Sequence, residues 1–217
     1  MKLNSAAIIF SILMSSSVIA SDSDYEKALT AYRQNQIDTA YIHLKNTLKD
    51  NPNSLPAKLL LADVLLAKEF YQEAELELTE ALNMGADVNL VVEPLTKALL
   101  HRGQYTRILS LFDDYVLNRQ SKYKYLLAQG KAQIGLGAHD EALYSYQSML
   151  RQYPNDIDVQ LGIASVYLST GQLKLAEQSL LSLMAQAENN EQITRYLGTL
   201  ALELGDFQQA LVYFQKA

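Results

Sequence analysis

A small residue that returns at a fixed interval of 34 positions is the feature that most constrains this chain. This alanine column holds five Ala and one Ile: Ala40, Ala74, Ile108, Ala142, Ala176 and Ala210. Five residues before each member lies the turn column: Asn35, Glu69, Gly103, Gly137, Gly171 and Gly205. Four residues after each member lies a large apolar residue: Leu44, Leu78, Phe112, Tyr146, Leu180 and Phe214. An interval that never slips predicts one structural unit repeated six times.

The residue types in these columns predict that each unit is a helical hairpin. Ala and the large apolar residue four positions later share one face of a helix. Gly in the turn column supplies the left-handed conformation that ends the preceding helix, and Asn35 is a usual substitute for it. Ala lets the two helices approach closely, and the larger residue fills the groove that remains.

Short breaker-and-cap segments separate some of the predicted hairpins. They are Asn51-Pro52-Asn53-Ser54, Gly85-Ala86-Asp87 and Pro154-Asn155-Asp156. In each segment, a residue that stops one helix is followed by a residue able to cap the next. Because one hairpin cannot bury its apolar face alone, we expect the hairpins to stack.

The composition favours a folded, all-α chain. Hydrophobic residues make up 49% of it, with only 4 Pro and 9 Gly, and good helix formers dominate while Val and Thr are sparse. The net charge of −6, without any run of like charge, makes nucleic acid a poor partner. The absence of Cys from the sequence excludes disulfides, thiolate metal sites and Cys nucleophiles. We predict an α-solenoid of about six hairpins.

The first 20 residues differ from the rest and predict a secretory signal peptide. The run MKLNSAAIIFSILMSSSVIA has one Lys, an apolar stretch over residues 6–14, and small residues before a predicted cleavage after Ala20. The apolar stretch is shorter than the roughly 20 residues that a membrane-spanning helix needs. We therefore expect an exported protein.

A hairpin of this length and pattern resembles the tetratricopeptide repeat. The resemblance covers repeats at about 21–54, 55–88, 89–122, 123–156 and 157–190, and a truncated sixth at 191–217. It implies a right-handed superhelix whose first helices line the concave face. The third repeat departs most, because Pro94 lies inside its first helix and Ile108 replaces Ala, and we expect a kink there.

The amino-acid sequence of the first three repeats shows a narrower resemblance. The run DYEKALTAYRQNQIDTAYIHLKNTLKDNPNSLPAKLLLADVLLAKEFYQEAELELTEALNMGADVNLV, followed by Pro94 and ALLHRGQY, is similar to the TPR proteins of PEP-CTERM, or exosortase, sorting systems. That family accompanies exopolysaccharide gene clusters in Gram-negative bacteria. Many of its members are lipoproteins with a Cys after the signal peptide. Because Ser21 occupies that place here, the resemblance implies a soluble periplasmic form.

Catalytic and metal-binding patterns are missing from the sequence. His43, His101 and His139 lie in different repeats without the spacing of metal ligands. Glu73, Glu75 and Glu77 point to different faces of a helix, which is typical of a solvated surface and not of an acid/base pair. The sequence also lacks a phosphate loop, a nucleophile motif and a dinucleotide turn. We expect neither an enzyme nor a cofactor.

The remaining candidate site is the surface of the first helices, where a groove would hold an extended peptide or a partner protein. Polar side chains there can bond a peptide backbone, and Tyr can supply contact area. Any one of them could equally be a solvated residue of a helix face. The candidate residues are Tyr25, Tyr32, Asp63, Glu93, Lys97, His101, Lys131, Ser165, Arg195 and Thr199.

Two functional classes fit this sequence. One is a periplasmic scaffold for an exopolysaccharide-linked sorting or secretion system. The other is a periplasmic spacer or assembly element of an outer-membrane polysaccharide export complex. Since Phe214 and Leu211 have no following repeat to cover them, we also expect these residues to be partly bare and the array to continue past Ala217.

Overall fold

The computed structural model describes residues 24–217, and every regular element in that range is an α-helix. The predicted signal peptide, 1–20, lies outside the described residues. Residues 24–102 form one compact unit and Gly103–Ala217 a second. The helices are α1 (24–33), α2 (Ile37–Asp50), α3 (Leu55–Ala67), α4 (Tyr71–Asn83), α5 (Val88–His101), α6 (Tyr105–Ile108), α7 (Arg119–Gly135), α8 (His139–Gln152), α9 (Ile157–Ser169), α10 (Leu173–Gln186), α11 (Glu191–Glu203) and α12 (Phe207–Lys216).

The turn column adopts the backbone conformation that the sequence predicts. All six members have a positive φ, including the two that are not Gly, Asn35 at 58° and Glu69 at 61°. This conformation ends each odd-numbered helix and starts the return of the chain. At Glu69 it carries a steric penalty, because the Cβ of an L-residue crowds the following carbonyl there.

The alanine column lies in the packed interior, as predicted. Its six members are between 0% and 1% exposed, the Ile included. The large residues four positions later are buried too, except Phe214, which is 44% exposed. Leu211 is likewise exposed, so the expectation of a partly bare face on α12 is confirmed for these residues.

The predicted caps are also formed. Ser54 accepts a hydrogen bond from the Ala57 N–H at the start of α3. Asp87 and Asp156 do the same for α5 and α9, with N···O distances of 2.9 and 3.0 Å. These bonds satisfy backbone donors that the first turn of a helix leaves free.

The first helix of the third repeat, α5, runs through Pro94 to His101. The second helix of this repeat departs from the prediction. Only one turn, α6, forms where a second helix was expected, and residues 109–114 are turns. Two side chains of α7 explain this. The Tyr125 hydroxyl accepts from the Phe112 N–H at 3.2 Å, and the Gln129 amide donates to the Leu109 carbonyl at 2.7 Å. Both backbone groups would bond within α6 if that helix continued.

Small residues in the odd-numbered helices make room for the aromatic ring of Tyr146. A Cβ added to Gly162 would lie 2.4 Å from Tyr146 Cε1, and one added to Gly130 would lie 2.5 Å from its Cζ. The ring is fully buried between α7 and α9, and its hydroxyl donates to the Leu127 carbonyl at 3.4 Å. The packing of Tyr146 between these helices therefore depends on Gly130 and Gly162, which have no side chain.

Replacing Glu69 with Gly should stabilise the protein. The variant removes a left-handed penalty of about 1–2 kcal/mol, and the extra backbone freedom of Gly in the unfolded chain offsets roughly half of it. We expect the free energy of unfolding, measured by urea titration, to rise by about 1 kcal/mol. The matched change Gln72→Gly, at an exposed position in the first turn of α4, should lower it by up to about 1 kcal/mol. A fall for Glu69→Gly would contradict the strain.

Replacing Ala176 with Leu should overpack the α9–α10 hairpin. Ala176 is fully buried, and added methylenes at such a position cost about 1–3 kcal/mol. We expect that fall in the free energy of unfolding by urea titration. Lys174→Leu, on the exposed side of the same helix, is the control and should change it by less than about 0.5 kcal/mol. Equal midpoints for the two variants would show that Ala176 does not set the helix spacing.

Candidate functional site

Four predicted groove residues come together in the unit formed by residues 24–102. Tyr32 of α1, Asp63 of α3, and Glu93 and Lys97 of α5 lie on three successive odd-numbered helices. Burial raises the pKa of the Asp63 carboxyl, the nearby Glu93 carboxylate raises it further, and the Lys97 ammonium opposes the rise. Burial also raises the pKa of Tyr32, and Asp63 adds to that rise. We call these four residues the Asp63 cluster.

The local structure explains why Asp63 is half-buried. Apart from Asp63 and Lys58, helix α3 is apolar, and the neighbours Ala62 and Val64 are fully buried. The Asp63 carboxylate is therefore carried on a helix that is held in place by the buried residues on either side of Asp63. Burying a charge in such surroundings costs free energy unless opposite charge or hydrogen bonds compensate it. Lys97 supplies part of that compensation.

The two tyrosines of α1 belong to the same unit. Tyr25 and Tyr32 are half-buried and pack against its apolar core. A half-buried Tyr offers a rigid apolar face and a hydroxyl that can donate or accept a hydrogen bond. Together with two carboxylates and one ammonium, this surface can bond the backbone of an extended peptide and attract a basic side chain.

His101 is placed differently from the Asp63 cluster. It is the last residue of α5, and its ring stacks on Tyr71 of α4 with centroids 4.2 Å apart and planes 6° from parallel. The ring therefore contributes to the contact between α4 and α5.

Four predicted groove residues lie in the second unit. Lys131 is exposed on α7 and Ser165 is half-buried on α9. Arg195 and Thr199 are exposed on α11, where Arg195 pairs with Glu191 at 2.6 Å and the Thr199 hydroxyl donates to the Arg195 carbonyl at 3.2 Å. The contacts that hold Arg195 and Thr199 are thus local to one helix.

The histidines have separate neighbours. His43 Nδ1 lies 3.3 Å from an Asp24 carboxylate oxygen, and His139 Nδ1 lies 3.2 Å from the Ser169 hydroxyl. Among residues 24–217, no three His, Asp or Glu side chains are grouped so that they could hold a metal ion. In the same range, no helix is both long and apolar enough to cross a membrane.

Sequence reasoning missed two glutamines that line a pocket in the second unit. Gln129 and Gln133 of α7 line it together with residues of α8. The signal was present in the 34-residue register, because four other hairpins carry Leu, Ile, Tyr or Ala at the equivalent positions. Gln129 and Gln133 carry amides where these hairpins carry mostly apolar residues, which indicates that the two positions have different contacts in this hairpin.

Comparisons with known proteins agree with the hairpin geometry. Residues 133–199 match the sequence model of the tetratricopeptide repeat family, and residues 1–81 match that of anaphase-promoting complex, cyclosome, subunit 3. The mouse tetratricopeptide repeat protein 21A is 26% identical over 165 residues, which are 76% of this chain and 12% of that protein. The chain therefore spans about an eighth of this relative's length.

Solved structures show the same fold. A tetratricopeptide repeat protein from Parabacteroides merdae superposes with a TM-score of 0.69 at 16% identity, covering 91% of this chain and 78% of that one. PilW, a type IV pilus biogenesis factor, gives 0.66 at 18% identity with 89% and 90% covered. PilF from Pseudomonas aeruginosa gives 0.60 at 20% identity with 91% and 90% covered. Together with the match of residues 133–199 to the family model, these structures support a tetratricopeptide repeat fold.

Replacing Asp63 with Asn should change how stability depends on pH. The folded-state pKa of Asp63 is raised above its ordinary value of 3.8, so the folded protein binds the proton more tightly than the unfolded chain. The free energy of unfolding of the parent should therefore rise, relative to Asp63→Asn, as pH falls from neutrality through the raised pKa towards 3.8. Urea titrations across that range test this. A constant difference would show that Asp63 titrates alike in both states.

Proposed function

We propose that this chain is a non-enzymatic scaffold that binds an extended segment of a partner protein on the first helices of residues 24–102. The observation that carries the proposal is the Asp63 cluster on α1, α3 and α5. Tetratricopeptide repeat proteins generally serve protein–protein interaction, and the supported family assignment agrees with that role.

The charges of the Asp63 cluster favour a partner segment that carries a basic side chain. Asp63 and Glu93 bring two carboxylates, whereas Lys97 brings one ammonium. A Lys or Arg of the partner would supply the compensating charge that half-buried Asp63 obtains only in part from Lys97. Tyr25 and Tyr32 would contact the neighbouring residues of the segment.

The wider setting of this scaffold rests on the sequence. The N-terminal 20 residues favour export, and the resemblance of repeats one to three favours the periplasm of a Gram-negative bacterium and an exopolysaccharide-linked sorting or secretion system. Outer-membrane association as a spacer of a polysaccharide export complex is the alternative. At 18–20% identity, the likeness to PilW and PilF supports the fold and carries neither setting.

Peptide binding by an Asp63→Asn variant tests the proposal. The probes are fluorescent peptides of about ten residues that share one sequence except for a central Lys or Glu. We expect the Lys peptide to bind more tightly than the Glu peptide in fluorescence anisotropy, and Asp63→Asn to weaken it by about tenfold or more. The control Asp50→Asn removes one carboxylate from an exposed position of α2 and should bind like the parent. Equal affinities of both variants for the Lys peptide would refute the assignment.

A further inference from the structure

A pocket of about 370 Å³ lies within the second unit, between the turn after α6 and the helices α7 and α8. Its lining side chains are all uncharged. Three are amides and three carry hydroxyls, whereas the other three are apolar. They are Leu109, Leu126, Gln129, Gln133, Tyr144, Ser145, Ser148, Met149 and Gln152. The volume falls in the range of small-molecule sites in proteins.

Gln133, one of the lining residues, has an unsatisfied acceptor. Within the part of the chain that the structure describes, its Oε1 atom is buried and has no hydrogen-bond partner. A buried polar atom in this state costs about 1–3 kcal/mol relative to a paired one. Such atoms are uncommon in native proteins, and a molecule from outside the chain can satisfy one if the side chain turns towards the pocket. The equivalent residues in other hairpins, Leu65 and Leu99, are buried and apolar, so the hairpin fold itself does not need an amide here.

Gln129 shows that an amide can have a structural purpose at these positions. Its Nε2 donates to the Leu109 carbonyl, which the early end of α6 leaves free. No such bond accounts for Gln133 Oε1. The two glutamines therefore differ, because one satisfies the backbone of the shortened α6 and the other holds an acceptor that no group of the described residues satisfies.

We propose that this pocket binds a neutral sugar residue. An uncharged lining gives an ionised ligand no compensating charge, and burying such a ligand would be costly. The amides and serines concentrate donors and acceptors around one compact volume, which suits a ring that carries several hydroxyls. An extended peptide, in contrast, turns successive groups to opposite sides and presents few of them to one pocket.

The apolar part of the lining fits the same ligand. Leu109, Leu126 and Met149 can contact the C–H faces of a sugar ring, while the ring hydroxyls bond amide and hydroxyl groups of the lining. Tyr144 is 69% exposed and offers an aromatic face beside the pocket. This site is separate from the Asp63 cluster, and its occupant is a different class of ligand.

Side-chain amide signals of the isotope-labelled full chain provide the test. The probes are glucose, galactose and N-acetylglucosamine, with glucuronate and a capped tri-alanine peptide for comparison. We expect at least one neutral sugar, at concentrations up to about 10 mM, to shift the NH2 signals of Gln133, Gln129 and Gln152. Glucuronate and the peptide should shift them less.

Gln133→Leu is the matched variant, because it restores the residue that other hairpins carry and should keep the fold. We expect it to weaken sugar binding by about tenfold or more. Gln192→Leu, at an exposed position of α11, is the control and should bind like the parent. The proposal is overturned if none of the sugars shifts the three amides, if glucuronate or the peptide shifts them more, or if Gln133→Leu binds like the parent.

Discussion

The close contact between two helix backbones at the alanine column is the interaction on which the rest of this structure depends. In five of the six hairpins, a side chain no larger than Ala lets the return helix lie against its partner, and in all but the sixth the larger residue one turn later becomes buried. That contact forms only if the chain reverses tightly, which explains the positive φ at Asn35 and Glu69. Glu69 shows that the reversal is held even where the residue type resists it.

The candidate site uses the rigidity that this packing provides. Asp63 is carried on a helix most of whose other residues are buried, so its carboxylate is held half-buried instead of turning freely into water. The pKa of Asp63 is raised because burial in that position disfavours the charged carboxylate. A scaffold gains from such placement, because a charge that is already positioned loses little conformational freedom when a partner binds.

The third repeat shows how one hairpin can be altered while its core contact is kept. Phe112 remains buried and packs edge-to-face on Tyr125 although the helix around it has ended. Hydrogen bonds from α7 replace the helical bonds that are lost. The shortened helix and the two glutamines occur together, and the polar pocket lies beside them.

The sequence by itself determined the helical class, the 34-residue register, the turn positions and the buried columns, because these follow from contacts a few residues apart. It also supplied the residues of the Asp63 cluster, but not that they would interact, since they come from three helices. Only the tertiary structure decided that α6 stops at Ile108 and that Gln133 keeps an unpaired acceptor. The end of α6 depends on side chains of α7 that bond its backbone, and local sequence pattern carries no record of that competition.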